Sequence, residues 1–155
     1  MNQLIMIVED EYGSAEILQL LIEAEGYRVV FAANGSDALE LLEGEKPAVI
    51  LSDFMMPRLT GAEFGAAVRA APNLAAIPFV IISGTNESVV RKAFKDYDAF
   101  VPKPFSVDGL LELVKHLAEN GRRPSPENHA ENEVADPNVD ASLQKILRKL
   151  MLPPA

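Results

Sequence analysis

The chain has 155 residues, with 14 Lys and Arg against 23 Asp and Glu and a net charge of −9 at pH 7. This length suits one domain with a short appendage. The cysteine count is 0, which excludes a disulfide framework, a thiolate zinc site and a cysteine nucleophile. The acidic charge opposes general binding to nucleic-acid backbones, so we expect no direct nucleic-acid partner.

The sequence also lacks the segments that would place it in or across a membrane. Its longest apolar run, Leu4–Val8, is far shorter than the roughly 20 residues that span a bilayer. The N-terminus has neither the basic start nor the long apolar core of a secretory signal. We therefore expect a cytoplasmic protein without a membrane partner.

Short β-rich runs alternate with segments of helical spacing along most of the chain. The runs are Leu4–Val8, Arg28–Ala32, Ala48–Ser52, Phe79–Ser83 and Ala99–Val101. The first, third and fourth are almost wholly apolar, as is typical of strands buried on both faces of a parallel sheet. Strand–helix alternation implies right-handed βαβ crossovers. The pattern predicts an α/β fold, a (βα)5 doubly wound parallel sheet with the flavodoxin-like strand order 2-1-3-4-5.

The predicted helices are located by their apolar residues and their ends. The first is marked by Ile17, Leu18, Leu21 and Ile22. Ser36 and Ser106 are the expected N-caps of the second and fifth helices, because a serine hydroxyl accepts from a free backbone N–H of the first turn.

The character of the sequence changes near the end of the main domain, which we assign to residues 1–118. Residues 119–140 are polar and contain several prolines, which indicates a flexible linker. Residues 141–152 predict an amphipathic helical tail. Its apolar face holds Leu143, Ile146, Leu147, Leu150 and Met151, and Lys145, Arg148 and Lys149 lie opposite. Three uses remain open for this tail: packing on the main domain, docking to a partner, or pairing with a second copy.

Polar residues follow each central strand of the predicted sheet. The set comprises Glu9, Asp10, Asp53, Ser83 and Lys103. Taken singly, each has an ordinary explanation as a helix cap, a turn residue or a solvated charge. The carboxyl ends of parallel strands meet at one edge, however, so these side chains are expected to lie together. Carboxylates that close repel each other unless a cation neutralises them, and Mg²⁺ is the natural occupant of such a site.

Four segments of the sequence carry a family resemblance. IMIVEDE, LSDFMMPRLTG, FVIISG and DAFVPKPF resemble, in order and spacing, the signature blocks of response-regulator receiver domains. The resemblance covers Leu4 to about Leu117 and implies a CheY-like domain of two-component signalling. The DxxMPxxxG block, followed at the proper distance by SG and KPF, is the most specific part of it.

The resemblance implies a role for each residue at the sheet edge. Asp53 is implied as the phosphoacceptor, which receives a phosphoryl group from a phosphohistidine of a sensor kinase or from a small acyl phosphate. Lys103 is implied to pair with one phosphoryl oxygen and Ser83 to donate a hydrogen bond to another. The implied Mg²⁺ ligands are Glu9, Asp10, Asp53 and the backbone carbonyl of Met55.

Further positions shape the neighbouring loops and the implied switch. Pro57 and Gly61 shape the loop after Asp53, with Gly61 placed where the backbone turns tightly into the third helix. The resemblance implies a cis bond before Pro104. It also makes Phe100 the aromatic that moves with Ser83 and reports phosphorylation on the face formed by the fourth helix, fifth strand and fifth helix.

We therefore expect a single-domain response regulator, a signalling phosphoacceptor rather than an enzyme. Its expected partners are a sensor histidine kinase or phosphotransfer protein and an unknown downstream protein. A homodimer through the switch face or the terminal helix is a further alternative. Two other readings stay open: an interaction module that does not depend on phosphorylation, and a receiver fragment of a larger regulator or hybrid kinase. A phosphatase or flavin protein of the same fold is disfavoured, because no DxD motif includes Asp53 and no phosphate-cradling loop follows the first strand.

Overall fold

The structure is a computed structural model that describes residues 2–122 together with Lys145, Ile146 and Leu150. Within that part of the chain, parallel strands form a sheet in the order β2-β1-β3-β4-β5. The strands are β1 (Leu4–Val8), β2 (Arg28–Ala32), β3 (Val49–Asp53), β4 (Phe79–Ser83) and β5 (Ala99–Pro102). The helices are α1 (Tyr12–Ala24), α2 (Gly35–Leu41), α3 (Gly61–Ala70), α4 (Glu87–Ala93) and α5 (Val107–Asn120). The predicted fold class and strand order are confirmed.

The strands lie close to their predicted positions, with small shifts at β3 and β5. The third strand ends one residue later than expected, because Asp53 pairs with Ile82 of β4. The fifth strand is extended by Pro102, which pairs with Ser83. The shift makes Asp53 the last residue of β3 rather than the first residue after it.

Helices cover both faces of the sheet, which explains the apolar central strands. All residues of β1 and β4 are buried. Alternate residues of a strand point to opposite faces, so Met6 packs in the core beneath α2, α3 and α4, whereas Ile5 and Ile7 pack in the core beneath α1 and α5. The edge strand β2 is less buried, from exposed Arg28 to buried Ala32.

The helix ends depart from prediction at one place. Asn34, not Ser36, caps α2, because its side-chain oxygen accepts from the backbone N–H of Asp37 at 2.9 Å. Ser36 is therefore already inside the helix. The predicted cap Ser106 is confirmed, since its hydroxyl accepts from Gly109 N at 3.2 Å.

A buried ion cluster lies at the edge formed by the amino ends of β4 and β5. Asp98 directly precedes β5, and its carboxylate accepts from Phe79 N and Arg69 Nη2, each at 2.8 Å. Arg69, from α3, also donates to the backbone carbonyls of Asp96, Ala75 and Ile77. Burial raises the pKa of Asp98, and the Phe79 N–H and the two arginines of the cluster oppose that shift.

Arg122 joins this cluster from the far end of α5. Its guanidinium pairs with Asp96, and its Nε lies 3.3 Å from Asp98 Oδ1. Arg122, which directly follows Gly121, is thus held against the domain by ion pairs. The predicted linker and tail fall mostly outside the described residues. Of the tail, Lys145, Ile146 and Leu150 are described, and all three are helical.

Across residues 2–122 the structure has no helix with the length and apolar character needed to cross a membrane.

Candidate functional site

The structure brings the charged residues predicted at the strand ends to one edge of the sheet. Glu9 and Asp10 follow β1, Asp53 ends β3, and Lys103 follows β5. Main-chain hydrogen bonds fix these positions: Glu9 N donates to Ala32 O at 3.1 Å and Lys103 N to Ser83 O at 2.9 Å. The edge therefore combines three carboxylates with one ammonium group.

The three carboxylates form a compact acidic cluster. One oxygen from each of Glu9, Asp10 and Asp53 lies within 4.8 Å of the others. Glu9 is buried and Asp10 is exposed, so the cluster opens to solvent on the Asp10 side. Glu9 Oε1 accepts from Glu11 N at 3.1 Å, which orients this carboxylate. The cluster is the kind of oxygen-rich site that hard divalent cations occupy.

Asp53 presents its two carboxylate oxygens to different neighbours. Oδ1 accepts from Phe54 N at 2.7 Å, which fixes the side chain against the main chain. Oδ2 lies 3.6 Å from Lys103 Nζ. Oδ1 is thus held by a short main-chain hydrogen bond, whereas Oδ2 takes part in a long ion pair.

Lys103 bridges the two sides of the site. Its Nζ lies 3.3 Å from Glu9 Oε2 as well as 3.6 Å from Asp53 Oδ2. Burial lowers the pKa of this ammonium group, but the charges of Asp53 and Glu9 outweigh burial and raise the pKa overall. Lys103 is therefore a permanent cation at neutral pH. The peptide bond from Lys103 to Pro104 is cis, and Pro104 is exposed.

The single ammonium group of Lys103 does not neutralise the three carboxylates of the acidic cluster, and the pKa of Glu9 is shifted. Burial, and then the charge of Asp53, raises the pKa of Glu9 from 4.5 to about 7. The folded, metal-free protein therefore holds a proton on Glu9 at pH values where the unfolded chain has lost it. A bound cation would remove the need for that proton.

The stability of the metal-free protein is expected to fall as the pH rises through about 7. The pKa of Glu9 is higher in the folded state, at about 7 against 4.5. Its stabilising contribution is therefore complete below the lower value and lost above the higher one. The loss should be on the order of 1–3 kcal/mol. Thermal unfolding in EDTA between pH 5.5 and 8 measures it.

The Glu9→Gln variant is the control for this pH dependence. The amide cannot titrate, so the variant should show a flatter profile, and any residual slope then belongs to other groups. An unchanged profile in Glu9→Gln would show that Glu9 is not the titrating residue.

Ser83 is buried at the end of β4, 2% exposed. Its Oγ accepts from Thr85 N at 2.9 Å, which leaves the hydroxyl hydrogen available to donate elsewhere. Phe100, at the centre of β5, is half-buried. Its ring centroid lies 6.3 Å from that of Tyr97, which continues a row of rings through Phe94 to Phe79.

The loop from β3 to α3 holds the remaining predicted residues. Met55 has an exposed side chain, and Pro57 is exposed with its carbonyl accepting from Leu59 N at 2.8 Å. Arg58 has a φ of 68°, an uncommon backbone conformation for a residue with a side chain. A capping box then starts α3, since Thr60 and Glu63 satisfy each other's backbone N–H groups.

Gly61 is the first residue of α3, and the structure shows why glycine is needed at this turn. Its φ is not in the left-handed region, where the described glycines are Gly26 and Gly121. Instead Gly61 N donates to Phe54 O at 2.8 Å. A Cβ here would overlap Asp53 O and come within 2.8 Å of Phe54 Cα. Glycine is required because α3 begins against the backbone of Asp53 and Phe54.

The Gly61→Ala variant is expected to be destabilised by about 1–3 kcal/mol, because the new methyl group meets backbone that must move. Gly13→Ala is the matched control. It lies in the first turn of α1 with nothing within 4 Å of an added Cβ, and should be stabilised by about 0.4–1 kcal/mol. Denaturant or thermal unfolding compares the two. Equal shifts would contradict close packing at Gly61.

An apolar groove beside the cluster was missed by the sequence reasoning. It has a volume of about 390 Å³ and lies between α1 and the segment from Lys103 to Val107. Its α1 wall includes Ile17, which is 63% exposed. The helical spacing that located α1 does not distinguish a core residue from one that lines an open groove.

The comparisons with known proteins identify a family for most of the chain. Residues 5–115 match the model of the response regulator receiver domain family. The response regulator MprA of Mycolicibacterium vanbaalenii is 30% identical over 148 residues, which are 94% of this chain and 62% of that protein. The chain thus spans less than two thirds of the length of this curated relative.

Solved structures give the same result. A receiver domain of a signal transduction histidine kinase from Syntrophus aciditrophicus has a TM-score of 0.72 and 28% identity, over 86% of this chain and 99% of that one. Response regulator TrrA from Thermotoga maritima, solved in complex with Mg²⁺ and BeF, has a TM-score of 0.68 and 26% identity, over 74% of this chain and 98% of that one.

Receiver domains are signalling phosphoacceptors that bind Mg²⁺ at an acidic site and interact with histidine kinases and downstream partners. Glu9, Asp10 and Asp53 form an acidic cluster at the strand ends of the matching fold. This chain belongs to the response-regulator receiver family of two-component signalling.

Proposed function

We propose that Asp53 accepts a phosphoryl group, with Mg²⁺ bound beside it, from a phosphohistidine of a sensor kinase or phosphotransfer protein. The observation that carries the proposal is the position of Asp53 Oδ2, which faces the acidic cluster 3.6 Å from Lys103 Nζ. An ordinary helix-capping aspartate would have no reason to stand among other carboxylates. Asp53 occupies this position although its negative charge raises the pKa of the neighbouring Glu9 carboxyl.

In the proposed reaction, the Asp53 carboxylate attacks phosphorus and forms a new O–P bond. The P–N bond of the phosphohistidine breaks, and its electron pair stays on the imidazole nitrogen. The product is an acyl phosphate on Asp53. Lys103 pairs with a phosphoryl oxygen, and Ser83 donates its hydroxyl hydrogen to another, which neutralises and orients the group.

Glu9, Asp10 and Asp53, together with the carbonyl of Met55, are the residues that would hold Mg²⁺. One oxygen from each of the three carboxylates lies within 4.8 Å of the others. Ligands of one Mg²⁺ ion lie up to about 4.2 Å apart, so small side-chain movements or an intervening water complete the fit. When bound, the metal offsets negative charge on the transferring phosphoryl group. The complex of the relative TrrA with Mg²⁺ and BeF supports this assignment.

We further propose that phosphorylation is read out by Ser83 and Phe100 on the face formed by α4, β5 and α5. Phe100 is half-buried, against Tyr97 at 6.3 Å, so its ring has room on one side. Phenylalanine lacks a hydroxyl, so an outward state gains no hydrogen bond from the ring. A downstream protein is the proposed partner of this face, and a homodimer through the same face is the alternative. We place this function in the cytoplasm, without direct contact to nucleic acid.

One of the two alternative functions is favoured by specific observations. A receiver within a larger regulator or hybrid kinase is supported by the greater length of MprA and by the kinase-derived receiver domain among the similar structures. An interaction module independent of phosphorylation would need no reactive carboxylate, and the retained set of Glu9, Asp10, Asp53 and Lys103 favours the phosphoacceptor over it.

The test is phosphoryl uptake by the whole chain. Incubation with acetyl phosphate and Mg²⁺ should add the mass of one phosphoryl group, and hydroxylamine, which cleaves acyl phosphates, should remove it. Replacing Mg²⁺ with EDTA should stop the uptake. If acetyl phosphate and phosphoramidate both fail to label the chain in Mg²⁺, the phosphoacceptor function is wrong and the interaction module is favoured.

A further inference from the structure

The fifth helix contains a glycine that the phosphoacceptor site does not explain. Gly109 lies in the first turn of α5, where glycine is among the least favourable residues. Its φ is not in the left-handed region, so no special backbone conformation requires it. A close neighbour is therefore the expected reason for a residue without a side chain.

That neighbour is Leu150, which lies 41 positions further along the sequence. A Cβ at position 109 would lie 3.0 Å from Leu150 Cδ2 and 3.1 Å from its Cγ. The same Cβ would lie 3.4 Å from Leu150 N. Both the side chain and the main chain of Leu150 thus approach α5 at the position where α5 has no side chain.

The contact between Leu150 and Gly109 lies in the apolar core rather than at the surface. Leu150 is 1% exposed and belongs to the core cluster beneath α1 and α5. Ile146 packs against the same cluster. Residues four apart share one face of a helix, and Lys145 beside them is exposed. The described residues of the segment therefore divide into an apolar side toward the domain and a polar side toward solvent.

The connecting chain is long enough for this contact to form within one molecule. Arg122 is held by Asp96 and Asp98 at the end of α5, about 20 Å from Gly109 along the helix at 1.5 Å per residue. Residues 123–144 have an extended reach on the order of 70 Å. A tether of this length raises the effective concentration of its end to about the millimolar range, which favours binding in cis over binding to a second copy.

The segment meets the domain on the same face of the sheet as the apolar groove beside Asp53. Leu18 and Phe105 line that groove and also pack against the cluster that contains Leu150. Gly109 is two residues from Val107, another lining residue.

We propose that the segment bearing Ile146 and Leu150 is an internal ligand of this domain. It binds in cis over Gly109 and packs on the core beneath α1 and α5. A partner that packs an apolar helix over Gly109 must displace it. The contact does not involve the acidic cluster, so the proposal stands independently of phosphoryl transfer and is tested without any phosphoryl donor.

A cysteine pair tests the contact and its connectivity. The chain contains no cysteine, so Gly109→Cys with Leu150→Cys introduces the only two thiols, and loss of the leucine side chain makes room for the new one. Mild oxidation should give an intramolecular disulfide, seen as a faster-migrating monomer and a mass loss of two hydrogens. The matched control pair is Gly44→Cys with Leu150→Cys, because Gly44 follows α2 on the other face of the sheet. This control pair should cross-link at least about tenfold more slowly than the Gly109 pair.

The outcomes of this experiment are distinct. Equal rates for the two pairs would show that Leu150 has no preferred site and would overturn the proposal. A disulfide-linked dimer as the main product of the Gly109 pair would show that the segment binds a second copy, which also overturns binding in cis.

A second measurement asks whether Leu150 is the reason for the glycine. In the native chain, Gly109→Ala should lower the thermal midpoint by about 2–4 °C, because the new methyl group crowds Leu150. In the Leu150→Ala background, the same change should raise the midpoint, as Gly13→Ala does in either background. If Gly109→Ala shifts the midpoint equally in both backgrounds, Gly109 and Leu150 are not coupled and the internal ligand is refuted.

Discussion

The Asp53→Asn substitution is expected to reduce phosphoryl uptake from acetyl phosphate to background while leaving the fold intact. The amide is nearly isosteric, and its oxygen can still accept from Phe54 N, the 2.7 Å hydrogen bond that positions the side chain. It has no anionic oxygen with which to attack phosphorus, so the loss should exceed about a hundredfold, equivalent to about 3 kcal/mol of activation free energy. Intact mass measures the uptake, and circular dichroism with thermal unfolding verifies the fold.

Asp108→Asn is the matched control for this experiment. Asp108 is an exposed acid in the first turn of α5, so its amide variant has the same change in charge away from the cluster. It should be labelled at the native rate. Undiminished labelling of Asp53→Asn would move the acceptor to another residue, which peptide mapping of the labelled protein would identify.

The Arg69→Met substitution is expected to destabilise the domain by about 3–5 kcal/mol, because it leaves a buried carboxylate without its main cation. The side chains of Arg69 and Asp98 are 9% and 3% exposed, and their closest atoms are 2.8 Å apart. Arg69 also satisfies three backbone carbonyls. Denaturant unfolding of the two proteins measures the loss.

The control here is Arg91→Met, on α4. Arg91 pairs with Glu87 at 3.6 Å, but its side chain is 65% exposed, and exposed helical pairs of this kind contribute about 0.3–0.5 kcal/mol. Comparable losses for Arg69→Met and Arg91→Met would mean that the buried cluster contributes no more than a surface pair.

The fold and the charged edge of the site could be predicted because both depend on regular geometry. An apolar run such as Leu4–Val8 has few alternatives to a central parallel strand once helices separate the runs. Strand ends then determine which residues meet, so Glu9, Asp53 and Lys103 could be grouped without knowing any distance. Strand β3 ends one residue later than predicted, so Asp53 is the last residue of the strand rather than the first residue after it. Its place at the edge of the sheet is unchanged, because assigned element ends vary by about a residue or two.

What the sequence could not predict depends on contacts without a periodic signal. Arg69 meets Asp98 from a different element 29 positions away, and nothing in the pattern of α3 distinguishes it from a solvated arginine. The cap of α2 required a choice between Asn34 and Ser36, which both suit the role. The reasons for Gly61 and Gly109 lie in what touches them, which only coordinates reveal.

The anchoring of Arg122 has a consequence for how a signal travels in this protein. Asp53 lies at the carboxyl edge of the sheet, whereas Arg122 is fixed to Asp96 and Asp98 at the amino edge. A five-residue strand separates the two edges by about 17 Å. The chain therefore continues from Arg122 at the amino edge of the sheet, opposite the edge that holds Asp53. A segment that follows Arg122 can respond to the state of Asp53 in two ways. It returns to the carboxyl edge of the sheet, as the contact of Leu150 with Gly109 allows, or the change is transmitted through the sheet.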